Sequence, residues 1–151
     1  MVDWQEQRAI DFMLDDCETW AVVGLSGDKG RTAFRIASLL QRNGKRIVPI
    51  HPRFGGPGEP GEPGEPGEPE ETVLGERGYA TLAEVPFAID VVDVFRRSSR
   101  AGEFADQGVA VGAKGVWFQL GVLDEDAFER TREAGVSMVM DTCPAIEWGR
   151  R

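Results

Sequence analysis

The sequence predicts an α/β protein, a three-layer αβα sandwich with a five-stranded parallel sheet at its centre, and three observations lead there. Short apolar runs alternate with amphipathic stretches along the chain, and strands that alternate with helices fold as a parallel sheet covered on both faces. The first run, Trp20 to Val23, breaks into a turn carrying Gly24, Gly27 and Gly30 before a helical pattern opens at Thr32. The 151 residues make up one domain's worth of chain, enough to bury a proper core.

Each element has its own signature. Asp3 followed three residues later by Glu6 reads as a capping box, and Ile10, Met13, Leu14 and Cys17 recur at helical spacing behind it. After the Trp20–Val23 strand and the glycine turn, a helix presents Ala33, Ile36, Ala37 and Leu40 on one face and ends before Gly44. Strand two, Arg46 to Ile50, stops at His51-Pro52. Thr81 and Glu84 form a second capping box for a short helix that Pro86 follows. Strand three is expected over Ile89–Phe95, a glycine-interrupted helix over Arg100–Val111, and strand four over Gly115–Gln119. Asp124 caps a helix through Glu133 that Gly135 ends, strand five runs from Val136 to Met140, and a last helical turn follows Pro144.

Residues 55–71 are of a different material. Gly-Glu-Pro occurs four times in succession between Gly58 and Pro69, and the segment carries six glutamates and no apolar side chain. Four such triplets cannot support a triple helix. A stretch of that composition cannot bury enough surface to offset its ordering entropy, so it is expected to be an extended, mobile insertion in a loop of one domain spanning 1–151.

Composition narrows the functional classes. Hydrophobic content of 41% and charged content of 28% are those of a soluble globular protein, and no apolar run approaches the length of a membrane span. The polar, acidic first residues do not resemble a secretory signal, and two cysteines, Cys17 and Cys143, suit a reducing compartment; a cytoplasmic location is expected. A net charge of −9 argues against nucleic acid as partner. Yet between Val22 and Phe54 seven basic residues face a single acid, Asp28. Some belong to a solvated helix face, but Lys29, Arg31 and Arg53 flank the glycine turn and the end of strand two. A small polyanion is the natural partner.

The turn itself is phosphate-friendly, because glycines let backbone approach a phosphate and the free N–H groups of a helix's first turn point at it. Its spacing matches neither common motif. Counted from Gly24, the dinucleotide fingerprint would need glycine where Ser26 and Lys29 stand, and no register supplies a P-loop. A surface turn closing an ordinary βα unit is the plain alternative.

Taken together, the strand ends resemble a family. Gly24-Leu25-Ser26 followed by Arg31, Ile50-His51-Pro52-Arg53, Val91-Val92-Asp93-Val94-Phe95-Arg96-Arg97, Trp117-Phe118-Gln119-Leu120-Gly121 and Met140-Asp141-Thr142-Cys143-Pro144 are similar to the small bacterial and archaeal CoA-binding proteins. Those are single Rossmann-like domains akin to the CoA-binding domain of succinyl-CoA ligase α subunits and ADP-forming acyl-CoA synthetases. The resemblance covers about residues 8 to 149. It implies coenzyme A as cofactor, with the pyrophosphate on Ser26, Gly27, Lys29, Gly30 and Arg31 beyond Gly24. It puts Arg53 near the phosphoadenosine, with His51 beside it where the family commonly has asparagine. Phe95, Arg96 and Gln119 would then flank the adenine or the pantetheine arm. Independently, strand two ends in His51-Pro52-Arg53 with no acid for a ribose diol, which suits a phosphorylated ribose, as in CoA or NADP.

Nothing in the sequence supplies a convincing catalytic constellation. Ser26 lacks the nucleophile elbow and is expected to bind phosphate. His51 is the only histidine and is read as structural or ligand-facing. Asp93 is expected to be structural, and the two cysteines show no metal-ligand spacing. Cys143, before a proline at a strand end, is read first as an inert thiol; the alternative is a partly exposed thiol open to exchange with a ligand thiol. The expectation is a binding protein for CoA or acyl-CoA without chemistry of its own. Its rivals are an NADP-dependent oxidoreductase and a CoA-responsive regulatory or interaction module, whose partner surface would include Trp117, Phe118 and Trp148.

Overall fold

The computed structural model describes residues 2–54 and 72–151; the Gly-Glu-Pro segment lies outside the described residues. The sheet is five-stranded and parallel, as the alternation requires. Its strands are β1 (Thr19–Val23), β2 (Arg46–Ile50), β5 (Val91–Val94), β6 (Gly115–Phe118) and β7 (Ser137–Val139), in the order β2-β1-β5-β6-β7. Two short strands, β3 (Thr72–Val73) and β4 (Glu76–Arg77), form a separate antiparallel pair that the sequence did not lead us to expect.

One face of the sheet is covered by α1 (Gln7–Asp11), α2 (Thr32–Arg42) and α5 (Pro144–Gly149), the other by α3 (Ser98–Ala110) and α4 (Glu125–Glu133). Alternation along each strand supplies both cores: Trp20, Val22 and Trp117 face the first, Ala21, Val23 and Phe118 the second. The Trp20 and Trp117 rings meet at 5.8 Å, and each indole N–H finds a carbonyl, Trp20 on Cys17 and Trp117 on Thr142. Trp117 and Phe118 are thus core residues and cannot contribute to a partner surface. The glycines of α3 are required by packing, since a Cβ at Gly108 would meet Val92 Cγ2 at 3.0 Å.

Both capping boxes fail, for local reasons. Asp3 Oδ1 accepts the N–H of Gln5 at 2.9 Å, and α1 begins only at Gln7, running on into a π-helical turn over Phe12–Asp16. The preceding residues are drawn to the edge of β7 instead, where Trp4 O accepts the N–H of Met140 at 3.0 Å and Gln5 Nε2 donates to Asp141 O at 2.8 Å. At Thr81 the hydroxyl caps nothing, although Glu84 Oε1 accepts the N–H of Ala80 at 3.3 Å; with Pro86 following, only a 3₁₀ turn over Leu82–Glu84 forms. Strand β5 is shorter than expected because Asp90 serves its neighbour. Its carboxylate accepts the N–H groups of Glu18 at 2.9 Å and Thr19 at 3.0 Å. The outer edge of β2 carries Pro49, which has no N–H to offer, and is covered where Tyr79 N donates to Pro49 O and His51 N to Tyr79 O.

Candidate functional site at the carboxyl edge of the sheet

Strand order reverses between β2-β1 and β5-β6-β7, so the switch point lies at the carboxyl ends of β1 and β5. Gly24 marks it. Its N–H donates to Ile50 O of β2 at 2.8 Å, while a Cβ on it would meet Phe95 O, just past β5, at 3.0 Å. With φ at +101°, the position favours glycine on conformation as well as space. Three strand ends therefore converge on one residue.

From there the chain runs exposed through Gly27, Asp28, Lys29 and Gly30 to Arg31, which occupies the N-cap position of α2. No side chain caps this helix, and its first turn holds no acid. Its first N–H groups remain available to an anion. Among the described residues a Cβ on Gly27 would touch nothing within 4 Å, so packing does not demand a glycine there. Ser26 is half-buried with its Oγ accepting the N–H of Asp28 at 3.3 Å.

The end of β2 contributes His51 and Arg53. His51 Nδ1 accepts the N–H of Arg53 at 3.2 Å, which places the proton of the neutral ring on Nε2. Burial holds this histidine below its usual range, and Arg53, Arg96 and Arg31 press it further in the same direction. Those three arginines come from the ends of β2, β5 and the glycine turn. Arg96 also lies over the Phe104 ring, 5.5 Å from its centroid.

Further along the edge, Gln119 is 5% exposed and its Oε1 has no hydrogen-bond partner among the described residues. Phe95 is half-buried on the next strand end. The edge then closes through Asp141, whose Oδ1 accepts the N–H of Gly121 at 2.8 Å from a backbone at φ +66°. Every residue expected at the site thus sits on one edge, with the tightest clustering at β2, β1 and β5. Two cavities of about 450 Å³ each lie elsewhere, beside Trp4 and Phe128 and beside Asp11 and Arg151. The first is rimmed by Asp3, Glu125 and Glu129, the wrong sign for a phosphate, and in the second Arg150 and Arg151 are already paired with Glu147, Asp11 and Asp15.

Two residues at this end of the sheet are buried. Cys143 is 8% exposed and packs in the core beneath α1, α2 and α5, so it lacks the access that thiol exchange needs. The other thiol, Cys17, is pushed up to about 11 by burial. Asp93, in the middle of the sheet, is fully buried and neither of its oxygens has a partner among the described residues; burial raises its carboxyl well above the usual range. A strand position between Val92 and Val94 gave the sequence signal for burial, but not for isolation.

The fold and this edge define a class: a parallel α/β domain that offers a basic, glycine-lined turn and an uncapped helix to an anionic small molecule. Residues 18–149 match the model of the CoA binding domain, and the chain belongs to that family. It is 30% identical to the uncharacterized protein YneT of Bacillus subtilis (strain 168) over 123 residues, 82% of this chain and 79% of YneT. A hypothetical protein from Pyrococcus horikoshii OT3 has a similar structure, with a TM-score of 0.79 and 28% identity over 95% of this chain and 89% of that one. An acetyl-coenzyme A synthetase of Ca. Korarchaeum cryptofilum shares the fold at a TM-score of 0.62 and 18% identity, over 84% of this chain and 26% of its own. Among the described residues no helix is long and apolar enough to cross a membrane, and no group of three or more His, Cys, Asp or Glu could hold a metal ion.

Proposed function

We propose that this chain binds coenzyme A or an acyl-CoA at the carboxyl edge of the sheet and performs no chemistry of its own. The observation that carries the reading is the β1–α2 junction, where Gly24 at φ +101° is held between Ile50 O and Phe95 O and the turn opens into a helix with Arg31 at its N-cap and no capping side chain among the described residues. On this reading the pyrophosphate lies on the turn from Ser26 to Arg31, within reach of the Lys29 ammonium and the first N–H groups of α2. The 3′-phosphate lies by Arg53, where a diol-binding acid would otherwise stand. Gln119, with an unpartnered amide oxygen, offers an acceptor to an amide N–H of the pantetheine arm.

The experiment is native purification, denaturation, and mass spectrometry of what is released, followed by calorimetric titration with CoA, dephospho-CoA and NADP⁺. Release of CoA, and tighter binding of CoA than of dephospho-CoA, support the reading. A preference for NADP⁺ would replace it with an oxidoreductase.

A further inference from the structure

The one acid in the basic segment stands inside the turn that the CoA reading gives to the pyrophosphate, and it makes contacts there that an anion would make. Asp28 Oδ1 accepts the N–H of Gly30 at 3.0 Å, and its backbone carbonyl accepts the N–H of Arg31 at 3.1 Å. Its own N–H takes the Ser26 hydroxyl oxygen at 3.3 Å. Asp28 is exposed, and its carboxylate is held here by the turn it closes on the N–H two residues further along.

We infer that Asp28 is an internal competitor of the ligand's pyrophosphate, holding the turn in its binding shape and lowering the affinity that the bare turn would have. The inference rests on the CoA reading above. Two anions cannot share the Gly30 N–H, and a carboxylate left beside a bound pyrophosphate repels it across a distance that low salt does not screen. A ligand therefore has to turn the Asp28 side chain out toward solvent, which its exposure permits. The residue sets affinity without touching the rest of the site: it preserves the loop for a ligand and keeps weaker anions out of it.

The test is calorimetric titration of wild type, Asp28→Asn and Asp28→Ala with CoA and with dephospho-CoA, at low and high ionic strength. Asparagine keeps an acceptor for Gly30 and removes only the charge, so it remains informative should alanine loosen the turn. We expect Asp28→Asn to bind CoA about five- to tenfold more tightly at low salt, with the gain shrinking as salt rises. Dephospho-CoA keeps the pyrophosphate and should show the same gain. Unchanged or weaker CoA binding by Asp28→Asn, with wild type still binding, would overturn this inference and leave the CoA reading standing. A gain for CoA that dephospho-CoA does not share would also overturn it, because the competition would then lie at the 3′-phosphate. No CoA binding by any of the three would overturn the CoA reading and this inference with it.

Discussion

Two βα junctions of this sheet meet the same physical problem and answer it in opposite ways. Each ends a buried strand, turns, and opens a helix whose first N–H groups have no acceptor within the helix. At the β6–α4 junction the protein satisfies them itself. Asp124 Oδ1 accepts the N–H of Ala127 at 3.0 Å, and Glu125 and Asp126 complement the helix dipole. The loop N–H groups of Gly121 and Leu123 go to Asp141 Oδ1 and Ser98 Oγ. At the β1–α2 junction no side chain caps the helix, and Arg31 stands at the N-cap. Cations at the positive end of a helix dipole are unfavourable until an anion joins them. One junction satisfies its own helix end and the other leaves it open.

The sharpest way to break this contrast is to replace Lys29 and Arg31 together with alanine. Each charge-assisted contact is worth about 1.5–3 kcal/mol, so CoA affinity should fall by roughly a hundredfold or more. The thermal midpoint should hold or rise, because both side chains are exposed and burden the helix dipole. Calorimetry paired with thermal melting checks it; a variant that binds CoA normally removes the turn from the site.

Between the two junctions lies β5 with its isolated Asp93. Its folded-state value is raised, so the folded chain holds a proton that the unfolded chain gives up above about pH 4. Stability should therefore decline as pH climbs from there, by up to about 1.4 kcal/mol per unit while Asp93 keeps its proton. Asp93→Asn cannot ionise and should gain on wild type as pH rises above about 5 in urea titrations. Parallel pH profiles for the two proteins would show that Asp93 has found a partner in solution.

The converse experiment at the self-satisfied junction is smaller. Asp124→Ala should cost about 1 kcal/mol of stability by denaturant unfolding and leave CoA affinity as it was. A loss of affinity here would mean that the two junctions are not separate in function.

The smallest effect is on His51, the single histidine and so a clean reporter in NMR. Burial and three arginines hold it below 6.5. A bound polyanion offsets those arginines and should move it upward. By linkage, CoA should bind more tightly as pH falls through that window, by less than about tenfold. Imidazole resonances that ignore added CoA would take the end of β2 out of the site.

The strands and helices were legible because burial on both sides of a sheet writes itself as apolar runs, and helices covering it as periodic stripes. Strand β2 appears from Arg46 to Ile50 and α4 behind Asp124 just where pattern and cap chemistry put them. The edge residues were legible mainly through the family resemblance, since the glycine turn fits no standard spacing. What stayed hidden depends on distant partners. Asp3 looks like a cap, but its neighbours are claimed by β7, and Cys143 looks like an edge residue until the helices beneath it are in place. Asp28 counted only as one charge against seven; an Asp two residues before a glycine in a tight turn was the local sign that its side chain bends back on the backbone.

The straps along the two outer strands have a consequence for how the molecule meets its own copies. A parallel sheet ending in open edges would present rows of free N–H and C=O groups to any other strand. Here Trp4 closes on the strip beyond β7 and Tyr79 on the carboxyl end of β2, with Pro49 removing a donor from the middle of that strand. Segments far apart in sequence thus act as selvedges that stop the weave from being extended. Shortening the chain by residues 2–4 would strip one selvedge, and such a protein would keep its fold while acquiring a tendency to add strands from neighbours.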